Sequence, residues 1–376
     1  MNNSALYIHI PFCDHKCIYC DFYSIITSDN INAFLNALKK EINYYSNLYS
    51  HNRYFSSLYF GGGTPSLMSP SYINEIINHI REKFNLNDDA EITLETNPGT
   101  VTKEKLKSFL DCGINRISIG IQSFDDDDLK FLTRIHDSAA AIKTVEDAFN
   151  AGFENISADL IFNLPGQTKE KWLKNLNIIT SLPVKHISAY SLILERGTIL
   201  NKMVLDGKVK IQDEDYDADL YETTIDFLES ENFKQYEVSN FAKENFECIH
   251  NKVYWEYRDY LSFGPSAHSF INEKRWWNYS SLKKYIHEIE VNSYAVAGSE
   301  ILTKQQMIDE YVMLALRSSG LNLNEFINRF GNEWLEKRKN YFSKLNKDKF
   351  ILLTKNKIKL TKNGYLLCDE ILSNIL

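Results

Sequence analysis

Residues 7–22 read YIHIPFCDHKCIYCDF, a short apolar strand running into three cysteines, Cys13, Cys17 and Cys20, at spacing C-x3-C-x2-C. Thiolates so close along one loop can converge on a single soft metal centre. A tetrahedral zinc site wants a fourth ligand, and a [4Fe–4S] cluster normally takes four cysteines. Three thiolates on a cluster leave one iron open, and an open position is a place for chemistry where a closed one is structural. A zinc loop and three unrelated buried cysteines are the plainer alternatives.

The whole chain has 376 residues, enough for roughly two or three domains, and the composition of an ordinary globular protein. Its net charge of −8 argues against a nucleic-acid surface as the main business. Six cysteines, three of them in one loop, make no disulfide framework and suit a reducing compartment. The start, MNNSALYIHIPF, has neither a basic segment nor a long apolar run. Neither a secretory signal nor a membrane span is expected, and the expected location is the cytoplasm.

Beyond the cysteine loop, strand and helix patterns alternate. Ile31, Phe34, Leu35, Leu38, Ile42 and Tyr45 share one helix face, and a strand over 57–60 ends in Gly61-Gly62-Gly63-Thr64-Pro65. Ile73, Ile76, Ile77 and Ile80 mark the next helix, and strands over 91–95, 116–121, 156–162 and 186–192 follow. Six strand–helix units imply a parallel sheet with right-handed crossovers. Six are too few to close an eight-fold barrel, so the expected fold is α/β, a partial (β/α)6 TIM-like barrel open on one side. Functional residues collect at the C-terminal ends of strands in such folds. Here the cysteines follow strand one, the glycines strand two, Glu95 ends strand three and Gln122 follows strand four.

Three units are expected, 1–196 for the barrel, 197–300 for short strands and loops closing its open side, and 301–376 for a mainly helical tail. The hairpin pattern at 350–361 makes that tail resemble a winged helix. Winged helices often bind DNA, but the acidic balance favours a docking or lid role.

Several residues invite a functional reading and each has a plain one beside it. The glycines at 61–63 let a ligand approach the backbone, and a tight turn explains them equally. Glu95 can accept from ribose hydroxyls or an ammonium, or sit solvated at a strand end. Gln122 and Arg134 carry little alone. Asp159 lies inside an apolar strand and must be paired or face a ligand. Asp125 to Asp128 is an acidic helix start without a catalytic role. Cys112, Cys248 and Cys368 read as packing residues. In His250-Asn251-Lys252-Val253-Tyr254-Trp255 an imidazole stands near two aromatics, which suits a flat porphyrin, with a core histidine as the alternative. His9 is expected to pack beneath the metal loop, and His136 and His268 to face the cavity with no role assigned.

The cysteine spacing, with Tyr19 just before the last cysteine, resembles the radical S-adenosylmethionine (SAM) superfamily. Taken in order, YIHIPFCDHKCIYCDF, FGGGTPS, ETNPGT, GIQSF, LTRIHD, DLIFNLPGQT, HISAYSLI, YEVSNFA, HNKVYW and GPSAHS are similar to the oxygen-independent coproporphyrinogen III oxidase family. More narrowly they resemble its HemW branch, the haem chaperones. The resemblance implies a [4Fe–4S] cluster on Cys13, Cys17 and Cys20, with SAM around Tyr7, Tyr19, Gly62 and Glu95. The oxidase branch holds a second SAM at the positions matching Gly63, Thr64, Gln122, Arg134, Asp159 and Ala189. HNKVYW matches the HNxxYW motif that the chaperone branch is held to use for haem, with His250 as candidate ligand and Asn251, Tyr254 and Trp255 beside it.

Two further features separate the branches. Phe22 stands where the oxidase motif has a fourth cysteine, and with the motif opening at Tyr7 the oxidase's N-terminal extension is not expected. Asn163 and Thr133 stand where the family has glycine, beside the implied SAM pocket. The function expected from the resemblance is a carrier that binds a [4Fe–4S] cluster, SAM and haem and hands haem to apo-acceptors, respiratory haem proteins among them. No nucleic-acid partner and no coproporphyrinogen oxidase activity are expected, and self-association stays open. The rival expectation is the oxidase itself, decarboxylating coproporphyrinogen III propionates by hydrogen abstraction from the β-carbon. Radical chemistry on an unrelated substrate is a third.

Overall fold

The structure, a computed structural model, describes residues 2–27 and 29–376. Its centre is six parallel strands in sequence order: β1 (Asn2–Ile10), β2 (Arg53–Gly62), β3 (Leu86–Thr96), β4 (Arg116–Gln122), β5 (Asn155–Phe162) and β6 (His186–Ser191). Helices cover their outer face, so these strands are buried on both sides and read as apolar runs. The helix starts are fixed locally. Ser69, Thr102, Asp125, Asp137 and Thr168 each accept a backbone N–H of the first turn on the side-chain oxygen. The α/β partial barrel is therefore as expected.

Residues 197–300 do not lie across the barrel mouth as one piece, because their strands extend the sheet at both edges. β7 (Lys234–Gln235) and β8 (Asn240–Ala242) run antiparallel beside β6. β9 (Tyr260–Phe263) instead pairs in parallel with β1, and β10 (His268–Ile271), β11 (Lys274–Asn278) and β12 (Val296–Ile301) continue outward antiparallel. The resulting sheet has twelve strands in the order β12-β11-β10-β9-β1-β2-β3-β4-β5-β6-β8-β7. β1 thus runs through the interior of the sheet.

Between β8 and β9, Ile249–Trp255 forms a helix where a strand or loop is expected. No local side chain caps it. Glu91 on β3, far away in sequence, accepts the N–H groups of Ile249 and His250, both at 3.1 Å. A carboxylate on the first free N–H groups satisfies them and complements the helix dipole, and nothing near the motif announces it.

In the tail, β13 (Leu321–Asn322), β14 (Ile351–Leu353) and β15 (Lys357–Leu360) form a second sheet in the order β13-β15-β14. Helices Lys304–Leu316, Leu323–Phe330, Glu333–Lys347 and Cys368–Ile375 surround it. They share a core of their own around Phe326, Trp334, Phe342 and Ile358. Among the described residues no helix is long and apolar enough to cross a membrane.

One buried carboxylate ties the added edge strands to the barrel. Glu41, inside the helix Ile31–Tyr49, accepts from the Gly264 N–H at 2.9 Å, Asn278 Nδ2 at 2.6 Å and the Tyr285 hydroxyl at 2.7 Å. Burial raises its carboxyl to about 7, against the pull of those three donors. Glu41→Ala strands three buried donors and is expected to lower the unfolding free energy by about 2–4 kcal/mol in denaturant titration. On raising pH from about 4.5 the unfolded chain gives up this proton before the folded one, so Glu41 makes stability fall until about 7. Glu41→Gln should reduce that slope, and an unchanged slope would refute a proton held there.

Candidate functional site

The site forms where β2 meets β1 and the cysteine loop. The N–H of Gly63 donates to Ile10 O at 2.8 Å and that of Thr64 to Phe12 O at 2.7 Å. This approach needs bare backbone. A Cβ on Gly62 would stand 2.7 Å from the His9 ring, and one on Gly63 would stand 2.5 Å from Phe12 O. Gly62 also has φ +112, outside the range of ordinary side chains. The loop itself is closed by the Cys13 N–H on Ile25 O at 3.0 Å and the Ile25 N–H on Pro11 O at 2.8 Å.

Cys13, Cys17 and Cys20 line one cleft at the C-terminal ends of the strands. Tyr19, Gly62, Gly63, Thr64, Glu95, Gln122, Arg134 and Asp159 line it with them. Eight of the ten residues implied for SAM are thereby brought to one place. Ala189 is buried in β6, and Tyr7 lies behind the wall, stacked on Tyr59 with ring centres 6.1 Å apart.

A chain of hydrogen bonds connects two of the cysteines. Cys13 Sγ lies 3.3 Å from Thr64 Oγ1, which accepts from Asn97 Nδ2 at 2.8 Å. Asn97 Oδ1 in turn accepts from Arg134 Nη2 at 2.6 Å, and Arg134 Nη1 reaches Cys17 Sγ at 3.6 Å. The guanidinium also donates to Gly120 O at 2.7 Å. Arg134 thus sets a positive charge directly beside the Cys17 sulfur. Among the described residues no three Cys, His, Asp or Glu side chains stand close enough to share one metal ion. Zinc would need its sulfurs about 4 Å apart around one ion. In a [4Fe–4S] cluster each thiolate serves a different iron, and three thiols spaced around one cleft fit that arrangement better.

Glu95 closes the inner wall. Tyr59 donates its hydroxyl to Oε1 at 2.8 Å and the Gly62 N–H donates to Oε2 at 3.2 Å. Burial lifts its carboxyl to about 7, opposed first by the Tyr59 hydrogen bond. Asp159 faces the same cleft. Burial raises it to about 6, while hydrogen bonds from Ser188 and Ser118 and the charges of Arg116 and Arg134 pull the other way. Half-buried Asp159 therefore has hydroxyl partners and also lines the cleft. Tyr19 is held by Arg134, and burial keeps its hydroxyl protonated.

The two departures from glycine have a backbone explanation. Thr133 has φ 56 and Asn163 φ 61, so both occupy left-handed conformations where glycine costs nothing. Asn tolerates this; a β-branched residue does so poorly. Thr133 partly offsets the strain by accepting the Ile18 N–H on its hydroxyl at 3.2 Å, which anchors the cysteine loop.

The histidine of the HNKVYW segment is not at this cleft's surface. His250 is 2 % exposed; Nδ1 is bonded to Ser57 Oγ and Nε2 to the Tyr254 hydroxyl, both at 2.9 Å. Its ring stacks on Tyr59 at 4.8 Å, and burial lowers its pKa to about 3. Asn251, Tyr254 and Trp255 are half-buried. His9 packs against Gly62 and bonds Tyr23 O at 2.9 Å. His136 is buried on Ile121 O, whereas His268 is exposed. Asn97 and Tyr59 are site residues that single-residue reading missed. The signal available was position, since Asn97 follows the third strand within ETNPGT.

A family model for the Radical SAM superfamily matches residues 7–179. The haem chaperone HemW of Bacillus subtilis is 33% identical over 98% of this chain and 97% of its own length. That of Haemophilus influenzae is 40% identical over 70% of this chain and 69% of its own. A mitochondrial radical S-adenosyl methionine domain-containing protein 1 of Danio rerio is 34% identical over 99% of this chain and 87% of its own. Among solved structures, the coproporphyrinogen III oxidase HemN of Escherichia coli superposes with a TM-score of 0.84 at 25% identity, covering 100% of this chain and 90% of that one. The expected parentage therefore stands, and the chain belongs to the radical SAM superfamily and, within it, to the HemW family.

Proposed function

We propose that this chain is a cytoplasmic haem carrier, in which Cys13, Cys17 and Cys20 hold a [4Fe–4S] cluster and the adjoining cleft holds SAM. Haem is bound beside that cleft and passed to an apo-acceptor, with respiratory haem proteins as candidates. A cluster held by Cys13, Cys17 and Cys20 would keep one iron open for SAM and would supply reducing chemistry there once reduced. The observation that carries the carrier reading over the oxidase is Phe22. It is 61 % exposed at the mouth of the cleft, in the position of the oxidase branch's fourth cysteine.

The protein's own groups have separable tasks in this reading. Glu95 accepts from a ribose hydroxyl or an ammonium, oriented by Tyr59 and the Gly62 N–H. Gln122 and Asp159 bind polar groups deeper in the cleft. Thr64 and Arg134 are already committed to the cysteines and to Asn97. They therefore hold the loop in place instead of seating a second SAM. Along the HNKVYW helix, Tyr254 supplies the aromatic contact for haem, with Asn251 and Trp255 at its flank.

After anaerobic reconstitution, alanine at Cys13, Cys17 or Cys20 should abolish the visible absorption of the cluster, and alanine at Cys112 should leave it intact. SAM affinity should fall by up to about tenfold per pH unit below about 7, because the proton taken up by Glu95 removes the acceptor. Glu95→Gln should flatten that profile in calorimetric titrations, and a profile unchanged by the substitution would remove Glu95 from the SAM site. The function itself is tested by supplying reductant, SAM and either coproporphyrinogen III or haem. One equivalent of bound haem with no protoporphyrinogen is expected. Protoporphyrinogen beyond one equivalent would establish the oxidase.

A further inference from the structure

A second cleft, of about 400 Å³, opens on the far side of the cysteine loop, between that loop and β9–β10. Its size lies within the range of small-molecule and cofactor sites. Phe22 lines both clefts, and His9 and Tyr7 form the wall behind it. Five Phe and Tyr side chains, Tyr7, Phe22, Tyr23, Tyr254 and Tyr260, line the second cleft, which suits a flat conjugated ligand. Tyr254 belongs to the HNKVYW helix, so the motif reaches this cleft through its tyrosine while its histidine stays buried.

One side chain in this cleft has the chemistry to ligate iron. His268 is exposed at the start of β10, with its ring stacked on Trp277 at 5.9 Å and 24° between planes. Among the described residues no group hydrogen-bonds the imidazole; burial and then the charge of Arg275 lower its pKa, leaving the neutral, metal-binding form. His250 differs in being buried, with both ring nitrogens bonded within the protein. Two lysines bond or stack on residues that line or adjoin the cleft. Lys16 Nζ donates to Phe22 O at 2.7 Å, and Lys284 lies 3.8 Å over the ring of Tyr279, whose carbonyl accepts from the N–H of the lining residue Ser266. Asp21 is the one carboxylate among the residues lining the cleft.

We infer that haem sits in this second cleft with the His268 imidazole as its protein ligand, the ring lying against Tyr254 and Phe22. The inference rests on the carrier reading. His250 is then a positioning residue, holding Tyr254 toward haem on one side and Tyr59, with Glu95, toward SAM on the other.

The test is a titration of the full-length, cluster-reconstituted chain with haem, read by absorption and electron paramagnetic resonance. The wild type should take up one equivalent and show an imidazole-ligated spectrum. His268→Ala should lose that signature and at least tenfold in affinity, and His268→Met should rescue binding with a thioether signature. His250→Gln should keep the imidazole signature while weakening SAM binding. If the wild type binds haem and His268→Ala leaves both affinity and spectrum unchanged, this inference fails and the carrier reading survives. It fails in the same way if the imidazole signature disappears only with His250→Gln. No haem uptake by the wild type sinks both readings together.

Discussion

The end of β2 lies so close to the start of the cysteine loop that only glycine fits between them, and the site is assembled around that contact. Gly62 and Gly63 press on the His9 ring and the Phe12 carbonyl at distances no Cβ could occupy. Because they do, the Thr64 hydroxyl reaches Cys13 and the Gly62 N–H reaches Glu95. Asn97 and Arg134 then carry the same constraint across two more strands to Cys17. A loop of three thiols is mobile by nature. Here it is fixed from one side by bare backbone and from the other by a guanidinium, so its geometry is set before any ligand arrives.

Much of this was legible in the chain. Apolar runs of strand length alternating with helical periods determine a parallel sheet, and the rule that strand ends carry function places the cysteines, the glycines, Glu95 and Gln122 together. What was not legible depends on partners distant in sequence. β9 pairs with β1 across some 250 residues, and no local pattern distinguishes that edge from the β6 edge, where the segment's other strands lie. The HNKVYW helix starts on Glu91, a carboxylate from another strand. Its histidine is buried because Ser57 and Tyr254 use both ring nitrogens. The motif shows that an imidazole and two aromatics are adjacent, but a helix turns them to different sides.

The residues at 133 and 163 show how a site can depart from glycine and remain intact. Both backbones keep a positive φ. Asn163 is a residue type that visits this region at modest cost, but Thr133 is not. Threonine brings a hydroxyl that glycine lacks, and that hydroxyl accepts the Ile18 N–H in the middle of the cysteine loop. Strain in one residue is thus exchanged for a bond that holds the loop. The same positions seen only as mismatches to a motif would count against the pocket; as backbone conformations they leave its walls unchanged.

Glu41 and Glu95 have their carboxyls raised to about the same value, about 7, by the same cause. A shifted ionisation therefore does not by itself identify a functional group. The difference lies in what surrounds the oxygens. Glu41 is fully buried and receives three protein donors, so its acceptor capacity is used in joining β9–β11 to the barrel. Glu95 receives two, from Tyr59 and Gly62, and forms part of the wall of the cleft that holds the cysteines. A carboxylate has room for about four hydrogen bonds. The remaining capacity of Glu95 faces that cleft, which is why the proposed ligand role falls to Glu95 and not to Glu41.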